Sequence, residues 1–341
     1  MGSINKTIFS ALAFALWGTL NSPALLAEPS MQHQHTQTMQ QEQQYRVRYG
    51  TEKVGDLDIF YREAGNPSKP AVVLLHGFPT SSHMYRKLLA ELGDEFYLIA
   101  PDYPGFGDSS FPSPDHFEYS FDHLAEVVDQ FLIQRQVNRY VLMIQDYGAP
   151  VGFRVALKHP EKVQGFVVMN GNAYAEGLSP EGWAPIMKYW EDKENPQIEK
   201  DIAAALFSDA GLKWQYTHGT REPENILPDN WNLDILKFAR PGQHRAQLDL
   251  FYDYKNNLQH YPAWQQYLRE TQPPMLLVWG KNDAFFPVNG AEAYRRDVKA
   301  IDFNLLDTGH FALEEEGDFI AEKMRHFLRG IDQESSKIAS R

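Results

Sequence analysis

Three residues of this chain have the types and order needed to make, and then break, a covalent bond to carbon. Asp146 stands in Gln145-Asp146-Tyr147-Gly148, where an apolar run over 140–144 stops abruptly. Beyond it, Val151, Val155 and Ala156 recur near helical spacing. Asp283 ends Val278-Trp279-Gly280-Lys281-Asn282-Asp283, and His310 lies in Leu306-Asp307-Thr308-Gly309-His310-Phe311, each just past an apolar run. A carboxylate can attack an sp³ carbon that bears a leaving group and form an ester with it. It needs no prior deprotonation near neutral pH, since its reference pKa is about 3.9. A histidine oriented by a second carboxylate can then activate water to hydrolyse that ester. Each residue alone has a plainer reading: a helix N-cap for Asp146, a turn residue for Asp283, a packed histidine for His310. Their joint occurrence at the ends of three apolar runs favours the chemical one.

The elements that must position them follow from the pattern. A buried strand that turns sharply into a helix lifts one side chain above the carboxyl edge of a sheet, with the helix N-terminus behind it. Alternation around Gly50 and Gly55 predicts an antiparallel hairpin over 45–65 at a sheet edge. Apolar runs predict strands at 71–75, 96–100, 140–144, 164–169, 274–279 and 303–306. Helical spacing predicts helices from Ser81 or Ser82 to about Leu92, over 121–134, and a closing helix over 318–328. Strands alternating with helices imply an α/β fold with a mostly parallel, doubly wound sheet. The alternation stops over 173–264, which carries five of the seven tryptophans and six of the seventeen tyrosines. That concentration predicts an inserted helical cap over the carboxyl edge, where open α/β sheets bind ligands, and an apolar, water-poor pocket beneath it. The core is then split into 45–172 and 265–333, with a tail at 334–341. The Gly-x-Gly within Asp102 to Ser109 lacks the third glycine of a dinucleotide fingerprint and reads as a tight loop beside the site.

Composition narrows the classes. The net charge of −13, without a basic stripe, argues against a nucleic-acid partner. The absence of cysteine removes disulfides, thiolate metal sites and a thiol nucleophile. A positive start at Lys6, a short apolar run from Ile8 to Leu20 and small residues up to Ala27 read as a secretory signal peptide over 1–27. Periplasmic or secreted localisation is expected, without stable membrane insertion after cleavage. Residues 28–44 include the glutamine- and histidine-rich run from Met31 to Gln44, which reads as a disordered polar linker.

The motifs His76-Gly77-Phe78-Pro79, Asp102 to Ser109, Gln145-Asp146-Tyr147-Gly148, Trp279 to Asp283 and Gly309-His310-Phe311 together resemble the epoxide hydrolase and haloalkane dehalogenase branch of the α/β-hydrolase superfamily. The resemblance covers about 45–330. It implies an α/β-hydrolase fold, an aspartate nucleophile at Asp146, and the partners Asp283 and His310. It also implies an oxyanion site from the backbone N–H groups of Phe78 and Tyr147, beside His76 and Gly77, with no metal or cofactor and a small apolar organic substrate. In the dehalogenases a tryptophan follows the nucleophile, and an asparagine or tryptophan elsewhere completes a halide cradle. Tyr147 and Phe78 occupy those places in this chain. The Phe of His-Gly-Phe-Pro resembles epoxide hydrolases, as does Tyr254-Lys255-Asn256, which is similar to the surroundings of a proton-donating cap tyrosine. A second cap tyrosine is expected near Ile186, and Tyr189 is the nearest. The expectation is therefore an epoxide hydrolase-like enzyme. A dehalogenase with an unusual halide site, or a ligand-binding protein on a hydrolase scaffold, remains open, and nothing in the sequence sets the oligomeric state.

Overall fold

The computed structural model describes residues 47–339, with side chains described over 47–333. The signal peptide and polar linker expected over 1–44 lie outside these residues. Eight strands form one sheet: β1 (Arg48–Val54), β2 (Leu57–Ala64), β3 (Ala71–Leu75), β4 (Tyr97–Pro101), β5 (Tyr140–Gln145), β6 (Val163–Met169), β7 (Met275–Gly280) and β8 (Ile301–Leu306). Their spatial order is β1-β2-β4-β3-β5-β6-β7-β8. The hairpin β1–β2 pairs antiparallel, as does β2 with β4, and every pairing from β4 to β8 is parallel.

The parallel strands read as apolar runs because both faces are covered. Val73, Leu75, Leu142 and Ile144 point into one core. Their chain neighbours Val72, Leu74, Val141 and Met143 point into the other. The sequence pattern located all eight strands to within a few residues, and the helix Phe121–Gln134 at its bounds. The closing helix is longer than expected, running over Ala312–Ala339 with a break in helical geometry at Glu316. Among the described residues no helix is long and apolar enough to cross a membrane.

Between β6 and β7 the chain makes five α-helices: Pro180–Glu191, Pro196–Ile202, Asp209–Thr217, Asp229–Phe238 and Gln243–Thr271. The last is 29 residues long and runs straight through the division drawn at 264/265. Trp264 is buried on it, its ring stacked 5.3 Å from that of Phe153 on the helix Gly148–Lys158. The helical insert is thereby anchored on the helix that begins at the Asp146 turn.

That turn is tight for an identifiable reason. A Cβ on Gly148 would lie 2.2 Å from the carbonyl oxygen of Leu75 at the end of β3. Only glycine lets the helix start pass so close to the neighbouring strand. Gly148→Ala should therefore destabilise the protein by about 1–3 kcal/mol, the scale of local overpacking, read as a shift in the urea midpoint. An unchanged midpoint would show that the helix start is free to move off β3.

Candidate active site

Asp146 follows β5 directly and sits at φ +46°, a left-handed conformation that aspartate tolerates better than most residues. This conformation reverses the chain within one residue and sets the carboxylate over the sheet edge. The carboxylate is buried and accepts a 2.7 Å hydrogen bond from the Phe78 backbone N–H. The Tyr147 backbone N–H lies beside it and also favours its charge. Burial raises the Asp146 pKa to about 6, although the His310 charge and these two N–H groups pull the other way.

The loop after β3 exists to deliver the Phe78 N–H. A Cβ on Gly77 would meet the Asp146 Cβ at 2.4 Å, so the approach requires glycine. His76 is fully buried, its ring stacked 4.2 Å from that of Tyr103. Its Nδ1–H donates to the Gly77 carbonyl at 3.0 Å, and its Nε2 accepts from the Tyr103 backbone N–H at 3.3 Å. Burial lowers its pKa to about 4, which keeps the ring neutral. His76 and Gly77, expected beside the substrate, are thus positioning residues that do not line the cavity. The Tyr103 contact ties them to the loop 102–109. In that loop Asp102 accepts from the backbone N–H groups of Ser82 and Asp108.

His310 and Asp283 meet as their order suggests. His310 Nδ1–H donates to Asp283 Oδ2 at 2.8 Å. Burial opposes a charge on His310, but the Asp283 carboxylate and, more weakly, Asp146 hold its pKa above the usual histidine value. Asp283 is itself anchored. Its Oδ1 accepts from the backbone N–H groups of Phe285 and Phe286, and its Oδ2 also accepts from Asn170 Nδ2 at 2.8 Å. Asn170 ends β6 at φ +45° and clamps Gly280 through a 2.9 Å N–H···O bond. Gln145 Nε2–H donates to His310 Nε2 at 2.9 Å. Sequence reasoning did not name Asn170, and it quoted Gln145 only as part of the Asp146 motif, with no role. Both end apolar runs on the same sheet edge, which is the signal that marks them.

One cavity lies between this edge and the insert. Asp146, Tyr147, His310 and Phe78 form its floor, and Trp183, Ile186, Leu206 and Phe251 face them. Phe285, Phe286 and Gln215 complete the wall. Its volume is about 20 Å³, little more than one water needs. Among the described residues no cluster of acidic and histidine side chains is placed to hold a metal ion.

The two expected cap tyrosines are not in the cavity wall. Tyr189 turns away and donates its hydroxyl to Glu199 at 3.1 Å. The reason is helical drift: each three-residue step falls about 60° short of a turn, so Trp183 and Ile186 face the cavity while Tyr189 has rotated off it. Tyr254 is fully buried against Trp183, Phe121 and Tyr147, with ring centroids 4.4, 5.5 and 6.2 Å away. Among the described residues its hydroxyl has no partner of good hydrogen-bond geometry, although Tyr261 lies beside it. Burial raises its pKa well above the usual phenol value, with Tyr261 and then Asp146 adding to the effect. Among the described residues the Tyr147 hydroxyl is likewise buried without a partner.

The raised Asp146 pKa has a stability consequence. Its folded value, about 6, lies above the unfolded value of 3.8. The cost of ionising it in the fold is absent below about pH 4, grows between about pH 4 and 6, and is complete above that. Asp146→Asn should stabilise the protein at pH 8 by about 3 kcal/mol, two units at about 1.4 kcal/mol each. The gain should shrink toward zero at pH 4. Denaturant unfolding at the two pH values checks this, and an equal difference at both would contradict it.

Comparison with known proteins agrees with the geometry. Residues 70–317 match the family described as alpha/beta hydrolase fold. An uncharacterised hydrolase of Saccharomyces cerevisiae is 44% identical over 267 residues, covering 78% of this chain and 91% of its own. A haloalkane dehalogenase of Bradyrhizobium diazoefficiens is 36% identical over 305 residues, covering 82% and 94%. Epoxide hydrolase 4 of Homo sapiens is 27% identical over 290 residues, covering 81% and 77%. Among solved structures, the haloalkane dehalogenase DbeA from Bradyrhizobium elkani superposes with a TM-score of 0.71 at 20% identity, over 84% of this chain and 99% of its own. At that identity the superposition speaks to fold alone. With the sheet, the elbow at Asp146 and these matches together, the chain belongs to the α/β-hydrolase fold family and is a hydrolase related to haloalkane dehalogenases and epoxide hydrolases.

Proposed function

We propose that this hydrolase attacks an epoxide with Asp146, forms an alkyl-enzyme ester and hydrolyses it with water activated by His310. The observation that carries the reading is the convergence on Asp146. Its buried carboxylate accepts from the Phe78 N–H, has the Tyr147 N–H beside it, and shares the cavity floor with a histidine oriented by Asp283. In the first step an Asp146 oxygen bonds to a ring carbon, and the ring C–O bond breaks. In the second, water displaces Gln145 from His310 Nε2 and gives that nitrogen a proton, and the hydroxide adds to the ester carbonyl carbon of Asp146. The Phe78 and Tyr147 N–H groups hold the oxyanion of the tetrahedral intermediate, which collapses by breaking the bond from that carbon to the substrate oxygen, as His310 returns its proton to the departing diol.

An opening epoxide needs a proton for its developing alkoxide, and a halide does not. Two buried phenols without a well-formed hydrogen bond, Tyr147 and Tyr254, stand near Asp146. Tyr254 is assigned the proton-donor role, which requires Trp183 to move aside when substrate enters, because Tyr254 lies behind that ring and outside the cavity lining; Tyr147, which lines the cavity, is assigned a hydrogen-bonding one. By contrast, the Trp183 indole N–H is engaged by the Phe285 carbonyl at 3.1 Å and is not free to cradle a halide. The second reading, a dehalogenase, is favoured by the 36% identity to the Bradyrhizobium diazoefficiens enzyme. We further assign to 173–264 the role of a cap over the cavity, and to 1–27 that of an export signal. N-terminal sequencing of the exported chain should begin at Glu28, and a chain retaining Met1 would end the export assignment.

His310→Gln leaves the first step running and stops the second. Intact-protein mass spectrometry of this variant with an epoxide should show an adduct of the whole substrate mass. A haloalkane would add its mass less hydrogen halide, so the increment names the electrophile. Continued turnover with no adduct would remove His310 from the base role. Tyr254→Phe should lower epoxide turnover by about 10²–10⁴, the scale of general-acid catalysis. A loss below about threefold would move the proton donor to Tyr147.

A further inference from the structure

Gln215 is the one amide in the cavity wall, and the function proposed above gives it no task. It is 2% exposed, on the helix Asp209–Thr217. Its Nε2–H groups donate to the carbonyl oxygens of Leu206 at 3.2 Å and Gly211 at 3.4 Å. Two carbonyl neighbours fix which end of the amide is nitrogen, because the reversed amide would set oxygen against oxygen. The side chain is therefore held from within the insert. Among the described residues no donor reaches its Oε1.

The surroundings make this oxygen consequential. Leu206, Phe251, Ile186 and Trp183 supply the rest of the insert's wall, and the one indole N–H among them is engaged elsewhere. An acceptor in such a wall is poorly served by an apolar occupant, which removes water from it and returns nothing. An occupant with an O–H or N–H at that point restores the missing bond. In the geometry described the cavity has room for little more than one water, so an epoxide enters only as the side chains of the insert move apart.

We infer that Gln215 determines specificity by accepting a hydrogen bond from the substrate, and that the favoured substrate class is a small epoxide bearing a hydroxyl group, an epoxy alcohol. This rests on the epoxide reading of the same site. Gln215 takes no part in bond making. It orients the substrate by its hydroxyl, so that the ring carbon faces Asp146.

The test is a matched pair of equal heavy-atom count, 2,3-epoxy-1-propanol and 1,2-epoxybutane, which differ by a hydroxyl for a methyl. The unaltered enzyme should favour the epoxy alcohol in kcat/KM by about tenfold or more. Gln215→Leu should lower the ratio of kcat/KM for the epoxy alcohol to that for epoxybutane by about 10–100-fold. Equal kcat/KM for the pair on the unaltered enzyme overturns the inference while leaving the epoxide chemistry standing, and this comparison needs no variant to fold. An equal loss on both substrates in Gln215→Leu also overturns it, since that is what a structural role alone would give. The pair 3-chloro-1-propanol and 1-chlorobutane separates the two levels of the argument. Hydroxyl preference there, with both epoxides inert, overturns the epoxide reading and retains the Gln215 acceptor. Inertness of all four overturns both.

Discussion

The hydrogen bond from the Phe78 backbone N–H to Asp146 Oδ2, 2.7 Å long, joins the two halves of the site and depends on much of the fold. It requires Asp146 at a left-handed turn, Gly77 without a side chain, and Gly148 pressed against the end of β3. It also requires the loop after β3 to be held in place. Neutral His76 does this by bonding Gly77 on one side and Tyr103 on the other. The left-handed turn carries a steric cost that ordinary residues would not bear. The parallel pairing of β3 with β5 over five residue pairs supplies the frame that holds it.

Burial then creates the chemical tension. Removing the Asp146 carboxylate from water raises its pKa, and the two backbone N–H groups recover only part of that cost. An ionised carboxylate with little water around it is a better nucleophile than a hydrated one, because solvent need not be stripped from it during attack. His310 faces the opposite constraint. Asp283 favours its charge while burial opposes it, and Gln145 holds the ring nitrogen that faces away from Asp283. Asn170 and the backbone N–H groups of Phe285 and Phe286 fix Asp283 in turn. The acid–base pair is thus positioned by three separate strand ends.

The sheet was legible in the sequence because each parallel strand is buried on both faces and reads as an apolar run. Asp146, Asp283 and His310 were legible because each follows such a run. What could not be read were contacts made across the insert, where rotation about a helix decides which side chain faces inward. Trp183 and Ile186 lie on one helix with Tyr189, yet only the first two reach the cavity. Tyr254 was found by its motif, but its placement behind Trp183 and Tyr147 depends on how four helices pack. His76 carried a family motif that suggests substrate contact, and its structural task appears only with its partners in the Tyr103 loop. Gln215 has no flanking motif, so its place in the wall emerges from tertiary structure alone.

The central claim is that substrate carbon becomes bonded to an Asp146 oxygen before water enters. A single turnover in ¹⁸O-labelled water, with the unaltered enzyme in excess over an epoxide, tests it most directly. Water that attacks the ester carbonyl leaves its oxygen in the carboxylate, while the product departs with an oxygen that Asp146 supplied. The account predicts that the peptide containing Asp146 gains the label and that the first-turnover diol carries none. A labelled diol with an unlabelled Asp146 peptide would mean that water attacks the substrate directly, and the covalent account would be wrong.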